Sequence, residues 1–112
     1  MKRGQIWWAE IPEPLASEPG YRRPAVIVQA DDVTESRINT VIVVPLTSTL
    51  RLATAPGNVL MSRKKTGLKR DSVANVSQII SFDKRFLTEP VGQVDHLTMH
   101  QIDEGIRLLL AL

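Results

Sequence analysis

A chain of 112 residues, 43% hydrophobic and 23% charged, suits one globular domain and leaves no room for a second folded core. It has no cysteine, which excludes disulfides, thiolate nucleophiles and cysteine-based zinc sites together. A net charge of +2 and a pI near 9.3 are too mild to announce a nucleic-acid partner, so that case rests on where the charges sit.

Along the chain, Gln5-Ile6-Trp7-Trp8-Ala9 reads as a first strand, rich in aromatic and apolar side chains. Gln5 and Glu10 also interrupt the apolar stretch a secretory signal needs, and no later run approaches the roughly 20 residues that span a bilayer. The expected location is the cytoplasm, with no membrane partner. From residue 11 to residue 23 three prolines and a glycine predict a long loop. Loops of that length in a small domain often carry function, although a plain hairpin connection fits the composition equally well. Ala25-Val26-Ile27-Val28-Gln29 and Thr40-Val41-Ile42-Val43-Val44 are the second and third strands. A helical turn is expected over residues 32–37, with Asp31 and Asp32 capping it. Weaker strands follow at 58–61, 72–76, 78–81 and 91–94. Short runs separated by turn residues favour an antiparallel barrel over a βαβ sheet. The period then changes. Met99, Ile102, Ile106, Leu109 and Leu110 follow helical spacing, with Thr98 and Gln101 as a capping box and Leu97 stapled onto Ile102. Gly105 weakens this helix but allows something to pack closely there.

Few residues outside these elements suggest chemistry on their own. His96 and His100 are four apart, but the predicted cap leaves His96 outside the helix, and solvated histidines explain them. With no compact carboxylate cluster either, no metal site is expected. Asp31-Asp32 and Asp103-Glu104 are adjacent pairs whose side chains diverge, so neither forms an acid–base dyad. No nucleophile elbow or glycine-rich phosphate loop is present. Arg63, Lys64, Lys65, Lys69 and Arg70 gather five positive charges in one loop, which suits either a phosphate backbone or a solvated surface. Of Trp7 and Trp8, one should face inward, leaving the other to stack on a base or to bury at a dimer seam.

The assembled pattern resembles the MazF/PemK family of toxins from type II toxin–antitoxin systems. The matching stretches are Arg3-Gly4-Gln5-Ile6-Trp7, Ser17-Glu18-Pro19-Gly20-Tyr21-Arg22-Arg23-Pro24-Ala25-Val26-Ile27-Val28 and Pro45-Leu46-Thr47-Ser48. Gly67-Leu68-Lys69-Arg70-Asp71-Ser72-Val73, Gln78-Ile79 and residues 102–109 extend the likeness over nearly the whole chain. The Ser-Glu…Arg-Pro loop, followed by a strand ending in Pro-x-Thr, is its most specific part. Gln5, where the family often has an acid, and Gly105, where it often has alanine, depart from the pattern.

The resemblance implies a mainly β fold with α, an SH3-like antiparallel barrel of the CcdB/PemK type with a C-terminal helix, in one domain over residues 1–112 and forming a homodimer. It implies an endoribonuclease that cuts single-stranded RNA (messenger, ribosomal or transfer) at short sequences without metal or cofactor. The products are a 2′,3′-cyclic phosphate and a 5′-hydroxyl. By motif position Arg23 and Thr47 match the catalytic arginine and threonine, and Glu18 matches a loop glutamate of unsettled role. Arg22, Ser48, Gln78 and the five basic residues at 63–70 are the expected RNA contacts. A cognate antitoxin is the implied protein partner, and DNA is met only through the antitoxin complex. The chemistry is coherent in itself. If the RNA's 2′-hydroxyl attacks phosphorus, the protein need only align the reacting oxygens and stabilise the developing charge. Arg23 offers a permanent planar cation and Thr47 a hydroxyl donor, while the proton-transfer group stays open. Two other readings are weighed: a CcdB-like gyrase poison, whose terminal Trp-Gly-Ile is not matched by Leu110-Ala111-Leu112, and an SH3-like binding module without catalysis.

Overall fold

The apolar runs at 25–28 and 41–44 do not alternate with polar residues, because both faces of these strands, apart from the exposed Ile42, are buried in the computed structural model, which describes residues 1–11 and 21–112. β1 (Gln5–Ile11), β2 (Tyr21–Ile27) and β3 (Thr40–Thr47) lie side by side, followed by β4 (Val59–Met61), β5 (Ser72–Ala74), β6 (Ile80–Asp83) and β7 (Leu87–Gln93). The sheet order is β4-β5-β3-β2-β1-β7, with β6 paired to the first half of β3, and every pairing is antiparallel. β3 serves two partners in succession. Thr40 to Val43 pair with β6, whereas Leu46 and Thr47 pair with β5, so the sheet curls into a half-barrel. Helical pieces are α1 (Asp31–Thr34), α2 (Arg63–Thr66) and the C-terminal α3 (His96–Leu110).

Alternation along the central strands sorts their side chains into two cores. Ile6, Val26, Val28, Val44 and Leu46 point to one side, where Ile102 of α3, Val76 and Met61 close over them. Ala9, Ala25, Ile27, Val41 and Val43 point to the other, sealed by Phe82 and Leu87. The fold is therefore the expected mainly antiparallel barrel-type sheet with a C-terminal helix.

Local readings differ from the structure where proline or a competing cap intervenes. β2 begins at Tyr21 and β3 runs on to Thr47, past the bounds of 25–29 and 40–44 drawn from composition, so Pro24 and Pro45 lie inside strands, the latter in keeping with a strand that ends in Pro-x-Thr. Their missing N–H groups are tolerated because the carbonyls still work: Pro45 O accepts from Asn75 N at 2.9 Å. The predicted loop thus shrinks from both ends, and its residues 12–20 lie outside the described residues. The helix cap is also corrected. Asp95, not Thr98, is the N-cap, accepting from Thr98 N at 2.8 Å, while Thr98 is buried inside the first turn. Leu97 is 63% exposed and makes no staple onto the core. His96 therefore does belong to the helix. Asp31 does not cap α1, whose N-cap is Ala30; its carboxylate instead accepts from Arg3 N at 2.7 Å. Gly105 behaves as its sequence position suggested, because Gly57 O approaches so closely that an added Cβ would sit 2.0 Å from it.

Candidate active site

The antiparallel register carries the two motif residues toward the same end of adjacent strands. β2 and β3 pair Ile27 with Val43, Val26 with Val44 and Ala25 with Pro45. That pairing ends there, with Arg23 two residues before Ala25 on β2 and Thr47 two residues after Pro45 on β3. Thr47 is half-buried at the end of β3, paired with Val73 of β5. Its Oγ1 accepts from Thr49 N at 3.2 Å, which orients the hydroxyl and leaves its own hydrogen to donate. Arg23 is exposed at the edge of an open groove of about 590 Å³.

Three pieces of the chain build that groove. Trp8, Pro24 and Leu46 contribute side chains from the central strands, and Arg22, Arg23 and Ser48 stand at their ends. The far wall is the segment from Gly67 to Arg70, with Ser72 and Val91. Ser62 caps α2 by accepting from Lys64 N, and Gly67 ends it at φ 79°, so the chain turns back along β7. The approach is tight: a Cβ on Gly92 would lie 2.5 Å from Thr66 O. The basic segment is thus clamped to the barrel, part helical turn and part loop, rather than one free loop.

Arg22, Arg23, Lys69 and Arg70 all line this groove, with no carboxylate lining it among the described residues. A second hollow, sharing Ser48, Lys69 and Arg70, extends it past Leu50 to Arg63 and Asp71. Asp71 is occupied there, accepting from Arg63 N at 2.8 Å. The expected RNA contacts therefore separate into two groups. Arg22, Ser48, Lys69 and Arg70 lie with Arg23 in the groove, and Arg63 adjoins them. Lys65 instead faces Asp95 at 3.6 Å, Lys64 is exposed on α2, and Gln78 ends a 3₁₀ turn without lining either hollow. Glu18 is outside the described residues.

Two participants escaped the sequence reading. Arg22 lies over the Trp8 ring, 3.8 Å from its centroid, and its Nε donates to Glu10 Oε1 at 3.0 Å. Thr88 of β7 donates to the other oxygen of Glu10. The Thr88 hydrogen bond, then Arg22, hold the Glu10 carboxyl below its ordinary range. Glu10 and Arg22 are register partners, a signal hidden behind the intervening loop. Trp7, on the opposite face, is half-buried against the second core, and Trp8 is half-buried beneath Arg22. Among the described residues no group of three or more His, Asp or Glu could hold a metal ion. His96 and His100 border different hollows.

The sequence and the fold have close counterparts. Residues 2–110 match the model of the PemK-like, MazF-like toxins of type II toxin–antitoxin systems. The chain is 42% identical to endoribonuclease MazF6 of Mycobacterium tuberculosis, covering 100% of this chain and 98% of that one. It is 33% identical to endoribonuclease EndoA of Bacillus subtilis, covering 100% of this chain and 96% of the relative. Among solved structures, a mycobacterial endoribonuclease in complex with its cognate antitoxin superposes with a TM-score of 0.80 at 26% identity, over 100% of this chain and 96% of the other. The MazE–MazF complex of Deinococcus radiodurans shares the fold, with a TM-score of 0.81 at 19% identity over 100% and 96% of the two chains. Matched almost from end to end by the family model and by these relatives, this chain belongs to the MazF-like toxins of type II toxin–antitoxin systems.

Proposed function

We propose that this protein is a toxin that cleaves single-stranded RNA at short sequences by attack of the RNA's own 2′-hydroxyl, leaving a 2′,3′-cyclic phosphate and a 5′-hydroxyl. The observation that supports this reading is a groove lined by Arg22, Arg23, Lys69 and Arg70, next to the end of β3 that carries Thr47. A phosphate entering there meets Arg22 and Arg23 from one strand and Lys69 and Arg70 from the facing segment, with Thr47 proposed as the hydroxyl donor. Because the substrate brings its own nucleophile and the guanidinium supplies positive charge, the reaction needs no bound metal. An acidic antitoxin segment would fill the same groove, its approach steered by charge. A binding module without catalysis would have no use for the Arg23/Thr47 pairing.

The test is one atom. A single deoxyribose at the scissile step of an otherwise cleavable RNA is expected to abolish cutting there while binding persists through the phosphates. Cleavage of the all-ribose RNA is expected to continue in EDTA. Efficient cutting at the deoxyribose step would overturn the mechanism.

A further inference from the structure

Arg22 is arranged differently from the other cations of the groove. Its guanidinium lies with one face on the Trp8 indole, 3.8 Å from the ring centroid, and its Nε edge is engaged by Glu10 at 3.0 Å. Glu10 is held in turn by Thr88, so three strands contribute to one small assembly. The Arg22 side chain nevertheless stays 53% exposed and lines the groove. A surface ion pair alone would not fix a long side chain. Here an aromatic face and a register-paired carboxylate act on the guanidinium, and a hydroxyl holds that carboxylate in place.

We propose that Trp8 and Arg22 form a platform on which one base of the bound RNA stacks, with Glu10 and Thr88 as positioning residues. This rests on the endoribonuclease reading above. A guanidinium stacked on indole is a flat cation whose outer face is of base size, and bases stack on arginine planes as they do on aromatic rings. Its inner face and one edge are already taken, so what it offers the groove is chiefly that outer face. Every base has a π-face, so the platform positions a nucleotide next to the Arg23/Thr47 step without selecting its identity. Holding the base flat limits how the adjacent ribose can turn, which favours in-line attack.

The test first maps the cut site of the full-length protein on a long single-stranded RNA. An uncut analogue with deoxyribose at that step is then walked with single abasic positions, and binding is measured for the native chain, Arg22→Lys, Trp8→Leu and Glu10→Gln. At one position beside the cut, loss of the base should weaken native binding by about 5- to 150-fold. In Arg22→Lys, which keeps the charge and removes the plane, the same abasic change should cost almost nothing further. Trp8→Leu should show the same loss of coupling, and Glu10→Gln a smaller one at that position only. If abasic and Arg22→Lys losses simply add at every position, Arg22 holds phosphate and the platform is wrong. If the native protein does not cut RNA at all, the endoribonuclease reading fails first.

Discussion

At Arg23 and Thr47 the chemistry depends on single atoms. Replacing Arg23 by alanine removes a fixed cation from the transition state, and a loss on the order of 10²–10³ in single-turnover rate is expected, by analogy with removing one oxyanion donor. Arg23→Lys restores charge but not the two-pronged geometry, so it should recover only part of that loss. Thr47→Val keeps the shape and deletes the hydroxyl. It should slow cleavage while leaving the thermal transition close to native, since the lost bond is one from the exposed Thr49 amide. An unchanged rate in Arg23→Ala would remove the arginine from the mechanism. These two residues are proposed from the sequence because they sit inside recognisable motifs. Glu10 and Thr88 were not, because a carboxylate and a hydroxyl 78 residues apart acquire meaning only when β1 and β7 pair.

The elements carry their own constraints. In α3, Gly105→Ala would raise helical propensity by about 1 kcal/mol if the helix stood alone. Here the new methyl would meet Gly57 O at 2.0 Å, and Gly57 itself sits at φ 81°, where a side chain would strain the turn. Crowding of this kind costs about 1–3 kcal/mol, so Gly105→Ala should lower the melting temperature. A rise would mean that the turn at Gly57 yields easily. The cap of the same helix links stability to pH. Hydrogen bonds from Thr98, and then the nearby Lys65, hold the Asp95 carboxyl below its ordinary range. A group whose folded pKa is depressed stabilises above its unfolded value of about 4 and loses that contribution as pH falls through the folded pKa. Asp95→Asn can still cap but cannot titrate, so its melting temperature should fall less steeply than native below about pH 4. Parallel curves would show that Asp95 is not part of the acid transition.

For the whole molecule, charge placement matters more than net charge. Four cations line the groove, and single-stranded nucleic acid loses affinity with salt at about 0.7 per neutralised phosphate. A logarithmic slope between about −2 and −3 is expected, and Lys69→Ala or Arg70→Ala should each reduce it by about 0.7. A slope near zero would move the RNA off this groove. Apolar surface gathers elsewhere, at Leu60 of β4 and at Leu97 and Leu108 of α3, where side chains are about 60% exposed. A second copy is expected to pair over that surface. Sedimentation should give about twice the 12.5 kDa of one chain, and a monomer at micromolar concentration would count against a homodimer.

Residue order alone was enough for the barrel-type strands, the helical C-terminus and the family, because hydrophobic period and short motifs are local properties of the chain. Composition alone began the second strand after Pro24 and ended the third before Pro45, since a proline's tolerance depends on which neighbouring group the strand must bond, and that neighbour is distant in sequence. It misjudged the helix cap because Asp95 and Thr98 both suit the role, and only the burial of Thr98 decides between them. Tertiary structure alone decided that Lys69 and Arg70 enter the groove while Lys65 turns to Asp95. That division depends on how the basic segment packs along β7, where the missing side chain of Gly92 lets the backbones meet.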